Sequence, residues 1–211
     1  MADSRPWALA GGAAVTLASL SPAAHARADG SLTAHMVQHV VLLVVAAPLL
    51  AAARRPATDA RPAGVWALVA AFGLHAGLMV AWHLPPAFDA AERTAAVHAL
   101  EHLSLLATAV VFWAAVGVGA RLPQRLSLLA VFAASMVGVA LGAAMTLASA
   151  PWYAAHPNLA DQQVAGVVMW AFAGLVYLGL GVLLFVRSLG DAEPAPRLAP
   201  PLGPTATVSS S

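Results

Sequence analysis

Residues 34–53 read AHMVQHVVLLVVAAPLLAAA, an apolar run interrupted only by His35, Gln38 and His39. At 1.5 Å per residue a helix over this run is about 30 Å long, the thickness of the hydrocarbon core of a bilayer. Four further runs follow, at about Ala63 to Leu84, Ala95 to Gly119, Leu126 to Ala148 and Gln163 to Val186. Breaks at Arg54-Arg55-Pro56, at Pro85-Pro86, at Arg121-Leu122-Pro123 and from Ser149 to Asp161 separate them, which reads as hairpin turns between packed helices. The expected fold is all-α, a polytopic transmembrane helix bundle of five or six spans.

The open question in that count is the segment from Trp7 to Leu20, which is shorter and diluted by Gly11, Gly12, Thr16 and Ser19. It follows Arg5 and ends in Ala24-His25-Ala26, the small-residue pattern of a signal peptide cleavage site. Residues 1–26 are therefore read as a signal peptide, or else as an uncleaved first transmembrane helix, and residues 27–188 as the bundle. Residues 189–211, rich in Pro, Thr and Ser, cannot bury a core and read as a disordered cytoplasmic tail.

Composition supports the membrane reading. Of 211 residues 61% are hydrophobic and 9% charged, against about a quarter charged in soluble domains. With no cysteine, disulfide scaffolds, thiolate zinc sites and iron–sulfur clusters are excluded. A net charge of +1 offers no basic face for nucleic acid, and none is expected as a partner. Gly117-Val118-Gly119 and Gly179-Leu180-Gly181 lie in or at the end of apolar spans, and read as helix-packing glycines rather than a nucleotide loop. All ten basic residues are arginine. If the N-terminus starts inside, Arg5, Arg54, Arg55, Arg61, Arg121, Arg125, Arg187 and Arg197 lie inside, and only Arg27 and Arg93 outside. Trp66 and Trp113 then fall near the inner interface, Trp82 and Trp152 near the outer one.

In this topology the histidines occupy the outer half. His35, His39, His83, His98 and His102 lie near outer helix ends, His25 and His156 lie in outer loops, and His75 lies midway along its span. Ionisable groups in spans are costly and tend to face partners, water or a functional site. His35 and His39, like His98 and His102, are four residues apart, so each pair projects from one helix face about 40° apart and can hold one metal ion. Gln38 and Glu101, third after the first histidine of each pair, can orient a ligand ring. His35 and His98 are 63 residues apart, and a further 63 reaches Asp161, so three inward-running helices begin with polar groups at similar depth. Asp161 reads equally as part of that polar cluster or as a helix cap. His75, Met79 and His83 form a stripe that serves either packing or liganding, while His25 and His156 are expected only to cap or to hydrogen-bond.

Imidazole suits copper, zinc and haem iron, and the thioethers of Met36, Met79, Met145 and Met169 tilt the choice toward copper. Taken in order, several motifs resemble the CtaG family of cytochrome c oxidase assembly factors: His-Met-Val-Gln-His before Ala-Pro-Leu-Leu, Trp82-His83-Leu84-Pro85, His-Ala-Leu-Glu-His with Phe112-Trp113, Pro151-Trp152-Tyr153, and Asp161-Gln162-Gln163 through Gly166 to Met169-Trp170. The resemblance runs from about Leu32 to Val186. It implies a multi-pass protein of the bacterial plasma membrane that supports production of active haem–copper cytochrome c oxidase through copper supply, with His35, His39, His83, His98, His102 and Asp161 as matching positions and Glu101 beside them. Copper is then the expected cofactor, and oxidase subunits and the lipid bilayer the expected partners, with the metal site on the periplasmic or outer side and the C-terminus cytoplasmic. Two alternatives stand beside this reading. An intramembrane zinc hydrolase would use the same histidines with Asp161 as ligand or base, although His-Met-Val-Gln-His lacks the glutamate of a zinc-protease motif. A transmembrane cytochrome would clamp haem between His39 and His102.

Overall fold

The computed structural model describes residues 5–53, 64–116 and 123–190, and every regular element among them is helical. Two short helices open the chain, α1 (Pro6–Ser19) and α2 (Pro22–Ala28), with a bend of 50° between them. The long helices are α3 (Leu32–Ala53), α4 (Val65–Trp82), α6 (Ala95–Val116) and α7 (Gln124–Thr146). A fifth, α8, runs from Leu159–Val167 through a wide turn at Val168–Phe172 into Ala173–Gly190. A short helix, α5 (Pro85–Arg93), joins α4 to α6. Among the described residues five helices are long and apolar enough to cross a membrane, or six if α1 and α2 form one broken span. The expected loops at residues 54–63 and 117–122 and the tail from residue 191 lie outside the described residues.

The five long helices close a ring in the order α4, α6, α3, α8, α7 and back to α4. Contacts at their ends give the directions. His35 and His39 meet His98 and His102, and Asp161 meets Ser31 to Thr33, so α3, α6 and α8 run parallel. His83 at the end of α4 meets His39, and Thr146 at the end of α7 meets the start of α8, so α4 and α7 run the other way. Outward faces carry large apolar residues such as Leu129, Phe132, Phe172 and Leu175, all exposed, as lipid-facing surfaces do. Outside the ring, α1 packs on α3, where a Cβ on Gly12 would meet the Leu50 side chain at 2.8 Å. Cleavage after Ala26 would remove α1 and most of α2, and with them the Ser19 carbonyl that accepts a bond from Gln38.

Two close features hold the ring. Between α7 and α8, Gly142 and Gly166 face each other so closely that a Cβ on Gly142 would lie 2.7 Å from the Gly166 carbonyl oxygen. Small residues permit that approach, and the Thr146 hydroxyl donates to the Gly142 carbonyl beside it. The glycines expected to pack helices at Gly179 and Gly181 instead have nothing within 4 Å, and Gly117 and Gly119 lie outside the described residues.

Within α3 the chain widens into a π-helical turn at Leu42–Ala46. There the Ala47 N–H donates to the Leu42 carbonyl, one residue further back than in an α-helix, and the next residue, Pro48, has no N–H. The Leu43 carbonyl is therefore left without an intrahelical donor. The Trp113 indole N–H donates to it at 2.9 Å from α6. Trp113 is accordingly buried in the core rather than set in an interfacial belt as expected, whereas Trp66 is 79% exposed. Replacing Trp113 with Phe keeps an aromatic ring but removes the donor, and should lower stability by about 1–3 kcal/mol, the cost of a buried carbonyl left unpaired. Thermal unfolding of the detergent-solubilised protein measures this, and an unchanged midpoint would show that the bond carries no weight.

Candidate metal centre

At the end of the ring where α3, α6 and α8 begin, most of the chain's histidines gather. Because α3 and α6 run parallel at matched depth, their two His-x-x-x-His faces meet. The Nε2 atoms of His35 and His39 are 3.1 Å apart. Two nitrogens at about 2.0 Å from one tetrahedral ion stand about 3.3 Å apart, so this spacing suits a shared ion. The His102 ring lies 4.7 Å from His39 and 4.5 Å from His98, centre to centre, and the His35 ring lies 5.3 Å from both His98 and His102.

Two carboxylates enter the same cluster. One Glu101 oxygen is 3.7 Å from Nε2 of both His35 and His39, and the other is 3.8 Å from His102 Nδ1. Glu101 is fully buried, and neither oxygen has a hydrogen-bond partner. Glu92, from α5, places one oxygen 3.1 Å from His35 Nδ1 and 3.6 Å from His98 Nδ1, and its other oxygen 3.3 Å from His156 Nε2. Burial would raise the Glu92 pKa, but its bonds to His156 and His35 outweigh that and hold it below the ordinary carboxylate range. A depressed carboxylate stabilises the fold above its unfolded-state pKa, and that contribution is lost as pH falls through the folded one.

The orphaned atoms show what the cluster can do. Among the described residues, His39 Nδ1, His83 Nε2, His98 Nε2, His102 Nε2 and the oxygens of Glu101 are buried without hydrogen-bond partners. Lipid cannot supply partners, so each such group is costly unless a cation or a proton answers it. In two rings the backbone also sets the tautomer. His102 Nδ1 lies 3.1 Å from the His98 carbonyl, and His83 Nδ1 lies 2.7 Å from the Met79 carbonyl. A neutral ring in that position donates through Nδ1, which leaves an Nε2 lone pair for a metal. For His83, burial lowers the pKa further than the Met79 carbonyl raises it. Ligand atoms lie within 4.8 Å of one another in three overlapping groups: His35, His39 and His102; His35, Glu92 and His98; and His98, Glu101 and His102. The donor set of imidazoles with carboxylates fits a borderline divalent ion or copper.

The other expected residues take distinct places. His83 lies beside the cluster, its ring 6.0 Å from His39. Gln38 turns away and donates to the Ser19 carbonyl at 2.8 Å, tying α3 to α1. Asp161 belongs to none of the three groups. Its carboxylate accepts from the Ser31 and Thr33 hydroxyls and from the Leu32 and Thr33 N–H groups, capping α3 from a neighbouring helix. His75 is deeper, its ring stacked on Phe112 and its Nδ1 3.4 Å from the Thr108 hydroxyl. His25, expected only to cap, packs its ring 4.8 Å from His98. Glu92 was not anticipated. It lies in what the Pro85-Pro86 break suggested was a turn, yet two prolines at a helix start followed by apolar Phe88 and Ala91 at a spacing of three are the signal of an amphipathic helix. Tyr153 and His156, from the loop before α8, close over this helix, with the Tyr153 hydroxyl donating to the His83 carbonyl.

A ring of apolar helices with a buried imidazole and carboxylate cluster at one end defines a polytopic membrane protein with a metal-competent site. The chain belongs to the cytochrome c oxidase caa3 assembly factor family, whose family model (Caa3_CtaG) matches residues 2–190. No curated protein and no solved structure is found to match it.

The position of Asp161 separates two roles by experiment. An Asp161→Ala variant loses the cap on α3 and should be less stable by about 0.5–2 kcal/mol, with its metal stoichiometry unchanged. Loss of one bound metal equivalent at undiminished stability would instead mark Asp161 as a ligand.

Proposed function

We propose that this assembly factor binds copper as cargo at the His–Glu cluster and supports its insertion into a haem–copper oxidase. The observation that carries the reading is the set of three overlapping ligand groups, buried and short of partners, in a chain of an oxidase assembly family. His35, His39, His98 and His102 are the ligands, with His83 adjacent. Glu101 lies among the rings and Glu92 behind them, so two carboxylates offset the charge of an ion held in a medium of low dielectric. Overlapping groups that share His35, His98 and His102 allow an ion to move by exchanging one imidazole at a time. Delivery is then ligand exchange to the oxidase, whose helices dock against the bundle within the bilayer. On the arginine distribution the cluster faces the periplasmic or outer side of the bacterial plasma membrane, with the C-terminus in the cytoplasm.

The direct test is metal content and the visible spectrum of the detergent-purified protein after copper loading, beside a variant with His35, His39, His98 and His102 changed to Ala. Copper should be bound by the parent protein and lost in the variant, and an oxidase formed alongside His98→Ala should be depleted of copper. Oxidase with full copper content in that strain would overturn the reading. Zinc bound in preference would turn it toward hydrolysis, and a Soret band toward haem. Because imidazole must be neutral to ligate, copper retention should weaken below about pH 6.

A further inference from the structure

Inside the helix ring, bordered by His39 but not by His35, lies a cavity of ≈ 30 Å³. On this measure one water needs roughly 10–15 Å³, so the cavity has room for a small occupant. Its wall holds Met36 from α3, Met79 from α4 and Met169 from α8, together with His39, His83 and Tyr177. Three of the six methionines in the chain thus converge from three different helices on one void. All three are buried, as are both histidines.

Methionine usually fills gaps, and its flexible side chain would be expected to close this one. Here a void persists between three methionine residues and beside two imidazoles that each have a buried nitrogen without a partner, His39 Nδ1 and His83 Nε2. The bond from His83 Nδ1 to the Met79 carbonyl leaves the Nε2 lone pair available. No carboxylate borders the cavity. Neutral sulfur and nitrogen donors without an anionic partner favour a soft cation of low charge, and disfavour zinc or another divalent ion that would be buried with its charge unanswered.

We propose that this cavity is a second metal site, selective for a soft monovalent d10 cation such as copper(I) or silver(I), with Met36, Met79 and Met169 as thioether ligands and His83 and His39 as imidazole ligands. It is separate from the His–Glu cluster and shares only His39 with it. That ring has one nitrogen 3.1 Å from His35 in the cluster and a second, partnerless nitrogen, and so stands between the two sites.

The test uses silver(I) nitrate in chloride-free buffer with the full-length protein in detergent. Wild type should bind one more equivalent of silver than a variant carrying Met36→Leu, Met79→Leu and Met169→Leu, and X-ray absorption at the silver edge of the wild type should show sulfur neighbours. Met145→Leu, at a buried methionine away from the cavity, should leave both readings unchanged. A variant with His35, His98 and His102 changed to Ala should keep the sulfur-bound silver, so failure of the cluster as a copper site and failure of this site are told apart. Equal silver binding by wild type and the triple leucine variant, or a silver spectrum with nitrogen and oxygen neighbours only, would overturn the proposal. Should the triple variant fail to fold, the wild-type spectrum and the single leucine variants decide it.

Discussion

Lipid offers a buried imidazole, carboxylate or freed backbone carbonyl nothing to bond to, and this single constraint arranges the protein. Polar groups within the spans must find one another, so helices are held in the register that lets them do so. Asp161 does this for α3 and α8: four donors at the start of α3 converge on its carboxylate, which sets the depth of His35 and His39. Trp113 does it for α3 and α6, by answering the Leu43 carbonyl that the wide turn and Pro48 leave free. Between these two anchors, the His-x-x-x-His faces of α3 and α6 meet.

Among the described residues the cluster is where the most such groups stay unanswered together. Buried nitrogens and carboxylate oxygens stand within a few ångströms of each other, yet lack hydrogen-bond partners. Such an arrangement costs stability unless a cation or a proton answers it. Two environments border His39. One holds carboxylates and imidazoles, suited to a more highly charged ion, and the other thioethers with neutral imidazoles. The difference follows from which helices contribute: α5 and α6 bring Glu92 and Glu101, whereas α4 and α8 bring Met79 and Met169.

Much of this was legible in residue order. The spans were, because long apolar runs have few other physical solutions, and the structure moves their ends by only a few residues. The pairing of His35 with His39 and of His98 with His102 was legible because a spacing of four returns to one helix face. Less legible were the residues whose role depends on a neighbouring helix. Gln38 shares a face with the histidines but spends its amide on Ser19, and Asp161 at the matching depth spends its carboxylate on α3. Trp113 looked like an interfacial residue because a tryptophan near the end of a span usually is one, and only the orphaned carbonyl across the ring places it inside.

By itself, then, the chain's pattern of apolar length, arginine asymmetry and histidine spacing determined an all-helical membrane bundle with its imidazoles at one end. These are local properties: span length is set by bilayer thickness, and facing by helical pitch. Only the tertiary structure decided that α3 packs between α6 and α8, that a short helix carries Glu92 to the rings, and that three methionines remote in sequence share one void. Those outcomes depend on which helix faces which, and that is chosen by close packing at Gly142 and Gly166 and by long-range hydrogen bonds that no window of sequence contains.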